Sequence, residues 1–342
     1  MEVYKRVSSR SVITFKNKIK VSNAACCGGK YEKEGPLGDT LDVYLGEGGL
    51  GQKTFEKGEE EAVRVTVNML LSKAGIKEQD VDVMFGGDLM NQCTSTGYGL
   101  CGFDIPYIGL YGACSTFVSG LLCASVMIDS GHAETAVVVA SSDFCSAERQ
   151  FRYPLEYGSV AGTTSQTTVT GVGAVHLTKA SESESGVFIG GGIYGIVNDS
   201  GIKDPANMGA AMAPAAADTI ERFARGSDIS DFDFIATGDL GSEGRSICEE
   251  ILKNKGIYRS GFLKDCGEMI YDEEAQDVGC GGSGCGCSAV VASGHLFPLL
   301  SSGAYRKIGL IGTGAMMSPQ SIMQGLSIPS VAHMVTLQSA NE

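Results

Sequence analysis

The chain has 342 residues, 43% of them hydrophobic, with 40 acidic against 26 basic side chains and a formal net charge of −14. That length carries a sizeable core in one large or two medium domains, and the charge excludes a nucleic-acid partner or simple adhesion to anionic lipid. An anionic ligand would need a local exception, from a few arginines or from backbone amides.

The 48 glycines fall singly between apolar runs, which suits tight turns and close packing rather than disorder. Twelve cysteines follow a mixed, charged opening without the apolar core of a signal peptide, so most are expected to be reduced and buried. In chain order, the segment through Gly51 is glycine-rich and resists assignment. Gly46 to Thr54 nearly spells a phosphate-binding loop, but Gln52 displaces Lys53 from its place, so a turn and helix start is expected. Residues Thr54 to Ala74 read as an amphipathic helix ended by Gly75. Asp82 to Phe85 reads as a strand running into Gly87-Asp88-Leu89, with a short helix around Thr96 to Leu100.

The uncharged window Ile105 to Ile128 could span a bilayer by length, but Pro106, Gly109, Gly112 and Gly120 break it into strand, turn and helix. A strand from Tyr107 thus meets the turn Gly112-Ala-Cys114-Ser115-Thr116, followed by a buried helix to Ser130-Gly131. A cysteine at a helix start sits where backbone N–H groups and the helix dipole favour a thiolate or a bound anion. Thr135 to Ser141 reads as a strand buried on both faces. Phe144 to Thr167 reads as a long loop carrying Arg149, Arg152, Tyr153 and Tyr157, and Val169 to Thr178 returns as a strand.

The second half then rhymes with the first. Asp233 to Ala236 runs into Gly238-Asp239-Leu240 as Asp82 to Phe85 runs into Gly87-Asp88-Leu89. Ser302-Gly303 precedes a strand from Lys307 as Ser130-Gly131 precedes the Thr135 strand. The same offset carries Cys114 onto Gly286, inside Ser283-Gly284-Cys285-Gly286-Cys287, where a second small-residue turn opens an apolar helix from Ala289 to Leu300. This predicts a duplicated α/β fold in layered α-β-α-β-α arrangement with a pseudo-two-fold axis. Residues 1–180 form one half and 181–342 the other, with the two small-residue turns opening helices packed back to back.

The Gly-Ala-Cys-Ser-Thr turn in a duplicated α/β chain resembles the thiolase superfamily, including the type III ketoacyl synthases. Longer strings resemble one family within it, stage V sporulation protein AD. They are Gly35-Pro-Leu-Gly38, Gly87-Asp-Leu-Met-Asn-Gln92, Ser146 to Pro154, Met208 to Thr219, Gly281-Gly-Ser-Gly-Cys285 and Gly312-Thr-Gly-Ala315. That resemblance implies a thiolase-like fold and the handling of dipicolinic acid (pyridine-2,6-dicarboxylate), alone or with calcium, during spore formation. It implies membrane-protein partners from the same operon, a peripheral place at the inner membrane of the forespore or spore, and a homodimer.

In condensing enzymes of this superfamily the cysteine works with histidine and asparagine, or two histidines, from the second half. At the matching positions this chain has Thr237 to Gly241 and Gly282 to Cys285, with neither residue type. His132, His176, His295 and His333 read as structural. Cys114 therefore reads as the donor-lined floor of a binding pocket, with Ser115, Asp88, Asp239, Ser283 and Gly284 around it and Arg149 and Arg152 as its positive end. The plainer readings stand beside these: both arginines as ion-paired loop residues, both aspartates as turn or cap residues. The competing function is a condensing or acyl-transfer enzyme with Cys114 as nucleophile. Cys266, Cys280, Cys285 and Cys287 lack the paired spacing of a zinc site and read as small buried residues, so neither metal nor cofactor is expected.

Overall fold

Short apolar runs such as Val83–Gly87 and Thr135–Ser142 lie at the centre of the molecule as strands. In the computed structural model, which describes residues 12–46, 49–151 and 162–340, the first half contributes β1 (Ile13–Gly28), β2 (Val43–Tyr44), β3 (Val83–Gly87), β4 (Tyr107–Gly109), β5 (Thr135–Ser142), β6 (Thr167–Thr168) and β7 (Gly171–Ala180). There follow β8 (Gly186–Ile193), β9 (Phe234–Thr237), β10 (Leu263–Asp265), β11 (Gly282–Ser283), β12 (Lys307–Ala315) and β13 (Ser330–Ala340). The large sheet runs β10-β9-β12-β13-β8-β1-β7-β5-β3-β4, with β2 beside β1, while β6 and β11 form a separate short pair.

Read from its two edges, that order is the same twice. From one edge β4, β3 and β5 are parallel and β7 and β1 follow antiparallel. From the other, β10, β9 and β12 are parallel and β13 and β8 follow antiparallel. The two runs meet where β1 pairs antiparallel with β8. The mixed α/β fold is therefore duplicated about an approximate two-fold axis, as the rhyme between Asp88 and Asp239 predicts.

Helices cover and fill this frame. Thr54 accepts the Lys57 N–H (3.3 Å) to start the helix Phe55–Ala74, and left-handed Gly75 ends it. The helix Thr116–Asp129 is apolar nearly all round and lies at the centre against β3, β5 and β12. Its counterpart starts at Cys285 (Cys285–Val291), continues through a π-helical turn (Ala292–Leu296) and ends with Phe297–Ser301. The two helices touch each other at the centre, as the pairing of the small-residue turns predicts.

Close approach at the centre depends on missing side chains. A Cβ on Gly173 of β7 would come within 2.3 Å of the Ala289 backbone, and one on Gly312 of β12 within 2.8 Å of Val118 Cβ. The motif glycines thus let strand backbone lie directly against helix backbone.

Two segments differ from expectation. The glycine-rich opening hides the 16-residue strand β1, whose alternate lysines Lys16, Lys18 and Lys20 dilute its apolar signal. The stretch read as a loop from Phe144 begins with the helix Phe144–Phe151, capped by Asp143, which accepts the Ser146 N–H at 2.8 Å. Replacing Gly173 by Ala should destabilise the fold by about 1–3 kcal/mol, since the helix from Cys285 would have to move. Chemical denaturation would measure it; an unchanged midpoint would mean that β7 and this helix are not in backbone contact.

Candidate functional site

The turn before the central helix is held in a strained shape by its own hydroxyls. Ala113 takes φ 50°, a left-handed conformation unusual for a residue with a Cβ. The Ser115 hydroxyl donates to the Gly112 carbonyl and the Thr116 hydroxyl to the Ala113 carbonyl, both at 2.7 Å. Behind the turn, a Cβ on Gly314 would lie 2.4 Å from the Gly112 oxygen, so only glycine fits there. Cys114 is thereby presented at the floor of a cavity of about 420 Å3, itself 5% exposed.

The cavity walls are largely apolar, with Leu89, Tyr111, Phe151, Met208 and Met316 among them, and Asn91, Glu148, Thr168, Ser283 and Gln320 supply polar groups. Among the described residues none of its lining side chains is a lysine or arginine.

Burial and Asp239 together set the chemistry of the cysteine. The Asp239 carboxylate is fully buried and accepts from the Thr313 hydroxyl (2.5 Å), the Gly284 N–H (3.0 Å) and the Ser283 hydroxyl (3.4 Å). Burial pushes the Cys114 thiol well above its ordinary value, and the neighbouring Asp239 charge pushes it further, against a smaller lowering by the Gly284 N–H. A reactive cysteine needs a positive neighbour, and this one faces a carboxylate. The helix start alone favours a thiolate; here burial and the neighbouring carboxyl both act against one. The four histidines line no part of this cavity. Burial lowers His176, His295 and His333, the last to about 4.

The residues placed around Cys114 from the sequence divide three ways. Cys114 and Ser283 line the cavity. Ser115, Asp239 and Gly284 sit behind it and build it. Asp88 is also fully buried and caps its own loop, accepting from the Met90 N–H (2.7 Å) and the Thr96 N–H (2.6 Å), so it acts as a turn residue. Arg149 is a correction. It pairs with Glu56 and lines a second cavity of about 560 Å3, not the one holding Cys114. The helix Phe144–Phe151 explains this: Ala147, Glu148 and Phe151 face the Cys114 side, while Cys145 and Arg149 face the other. Arg152, Tyr153 and Tyr157 lie outside the described residues.

Cys266, Cys280, Cys285 and Cys287 are all buried, and the thiols of Cys280 and Cys285 donate to the carbonyls of Thr163 and Ser141, each at 2.9 Å. Sequence reading missed Gln166, whose side-chain amide donates to the Asp239 carbonyl (2.8 Å) and to that of Gly282 (3.1 Å). It ties β6 to both site loops, and no motif signals a lone glutamine in a loop. Deeper in, Glu59 accepts from the hydroxyls of Ser95 and Ser141, both at 2.8 Å, and burial together with the Asp88 charge pushes its carboxyl up to about 8.

Comparison with known proteins adds three findings. Residues 9–338 match the family described as stage V sporulation protein AD. The stage V sporulation protein AD of Bacillus subtilis (strain 168) is 39% identical over 337 residues, covering 98% of each chain. Crystal structures of Xanthomonas campestris OleA share the fold: one variant gives a TM-score of 0.60 at 14% identity, covering 95% of this chain and 99% of its own. The cerulenin-bound form gives 0.57 at 15% identity, covering 96% and 98%. At that identity the likeness speaks for a thiolase-like architecture alone.

Two outcomes test the site chemistry. At pH 8 under native conditions iodoacetamide should modify exposed Cys101 and leave Cys114 untouched over the same period, as read by peptide mass mapping. Stoichiometric alkylation of Cys114 would show an ionised, accessible thiol. Glu59, with an ordinary value of 4.5 and a folded value of about 8, keeps in the folded state a proton that the unfolded chain has lost across that interval. Its stabilising contribution is full below about pH 4.5 and is lost as pH rises through about 8. Glu59→Gln should flatten the fall in stability across that window, measured by denaturation at several pH values; an unchanged slope would mean that Glu59 is ionised throughout.

Proposed function

The chain belongs to the stage V sporulation protein AD family, and we propose that it is a non-catalytic binding protein for dipicolinic acid, held in the cavity above Cys114. The observation that carries this reading is the Asp239 carboxylate beside the thiol, where a condensing enzyme of this fold would place a histidine. A carboxylate there keeps the sulfur neutral and offers no charge to a developing oxyanion, and losing such a donor costs about a hundredfold or more in rate. The cavity itself is kept: apolar walls for a flat ring, with the side chains of Asn91, Ser283 and Gln320 as fixed hydrogen-bonding groups. Its positive end is assigned to Arg152, which follows the cavity residue Phe151 in the chain. In this reading the protein serves the movement of dipicolinate, alone or with calcium, into the developing spore. It does so as a peripheral protein beside membrane proteins of the same operon. No helix among the described residues is long and apolar enough to cross a membrane.

An acyl-transfer role for Cys114 is the second reading, favoured by the strained Ala113 that presents the sulfur at a helix start. Intact mass after incubation with acyl-CoA thioesters separates the two: a Cys114-dependent adduct that turns over would establish the enzyme.

Calorimetric titration with dipicolinic acid should show saturable binding to the wild-type chain. Arg152→Ala should raise Kd about tenfold or more, the scale of one charge-assisted contact, while thermal unfolding stays within error. A folded protein that binds nothing at millimolar dipicolinate would end the binding proposal and leave the acyl-transfer reading or a structural adaptor role.

A further inference from the structure

Two of the strings that carry the family resemblance, Gly87 to Gln92 and the one that starts at Ser146, meet at the cavity above Cys114. Leu89 and Asn91 line it from the first string, and Ala147, Glu148 and Phe151 from the second. Gln150 is not a lining residue, yet it joins these two walls from outside. Its side-chain oxygen accepts the Asn91 N–H and its amide donates to the Leu89 carbonyl, both at 3.1 Å. One side chain thus pairs with the loop as a neighbouring strand would, taking a donor and an acceptor two residues apart.

The loop that Gln150 holds is strained. Gln92 and Cys93 follow one another with φ of 56° and 55°, the left-handed region that residues with a Cβ avoid. Such a pair persists only where its surroundings fix it. Asp88 ties one end of the loop through the Met90 N–H (2.7 Å), and the Cys93 thiol ties the other by donating to the Leu110 carbonyl (3.1 Å). Between them stands Asn91. The Tyr111 hydroxyl donates to Asn91 Oδ1 at 3.1 Å, and Asn91 Nδ2 has no hydrogen-bond partner among the described residues. The Ser283 hydroxyl, by contrast, is already turned to Asp239.

We propose that Asn91 Nδ2 is the fixed donor that orients an anionic ligand in this cavity, and that Gln150 is a positioning residue acting through it by latching the strained loop. These roles rest on the cavity above Cys114 being the ligand site. With its oxygen engaged by Tyr111, the Asn91 amide turns N–H rather than carbonyl oxygen to the cavity, which suits a ligand carboxylate. Without Gln150 the backbone at Gln92 and Cys93 is free to relax toward more favourable φ, and Asn91 leaves the wall with it. The Asn-Gln pair of the first string and the glutamine of the second are then parts of one latch.

Hydrogen exchange at the Asn91 N–H reads the latch without any ligand. Gln150→Ala should speed it about tenfold or more, while amides of the central helix Thr116–Asp129 keep their protection. Calorimetric titration with dipicolinic acid reads the donor. Asn91→Ala should raise Kd about tenfold, Gln150→Ala by a similar factor, and the double variant no further. A glutamine with a merely structural role would cost as much again in the Asn91→Ala background. Unchanged exchange at Asn91, a titration unmoved by Asn91→Ala, or additive losses overturn the proposal while dipicolinate binding by the wild-type chain stands. A wild-type chain that binds no dipicolinate ends that reading and the donor role with it, and exchange at Asn91 alone then decides the latch.

Discussion

One buried carboxylate holds the centre of this molecule together. Asp239 receives hydrogen bonds from Thr313 on β12, from Ser283 on β11 and from the Gly284 N–H at the start of the second central helix, while the Cys114 thiol of the first central turn lies against it. Its own carbonyl takes the Gln166 amide from beside β6. Segments from both halves of the chain converge on a single side chain. A buried charge is tolerable only when its lone pairs are met, so these segments must keep their mutual positions. Burial first, and the Asp239 carboxyl second, push the Cys114 thiol above its ordinary value. The arrangement that fixes the architecture therefore also disfavours the thiolate.

The glycine motifs work with that anchor. Gly312 and Gly314 on β12 let the strand run against the cysteine turn, and Gly173 on β7 does the same for the helix from Cys285. Side chains at those points would separate strand from helix by at least a methyl group and pull Thr313 away from Asp239. The peculiar strings of small residues are thus packing devices at a central interface. Their function is geometric, and the cavity is a product of the geometry.

The duplicated fold was legible because it rests on repetition: Asp82 to Phe85 and Asp233 to Ala236 each run into Gly-Asp-Leu, and each half has a small-residue turn that opens an apolar helix. What stayed hidden depends on contacts distant in sequence. The strand β1 carries lysines and small polar residues because it is enclosed by neighbours from residues 171–193, and no local period reveals that. The helix Phe144–Phe151 is only eight residues long, and its division of Arg149 from Phe151 onto opposite sides follows from helical geometry that a loop reading discards. That Thr237 to Gly241 and Gly282 to Cys285 hold neither histidine nor asparagine could be read from residue types alone. That Asp239 would lie against the thiol could not, because aspartate after a strand is so often a simple turn residue, as Asp88 proves to be.

The pairing of β1 with β8 has a consequence for how the chain must be assembled. β1 is synthesised near the beginning, yet apart from two residues of β2 its hydrogen-bonding edges are taken up by β7 and β8, which leave the ribosome much later. Until Ile193 has emerged, a long strand ending in Ala24-Ala25-Cys26-Cys27 has open backbone on both sides. The nascent chain therefore passes through a stage that favours chaperone binding or wrong pairing with another chain. The lysines that conceal β1 from periodicity analysis are the kind of residue that keeps such an edge soluble while it waits.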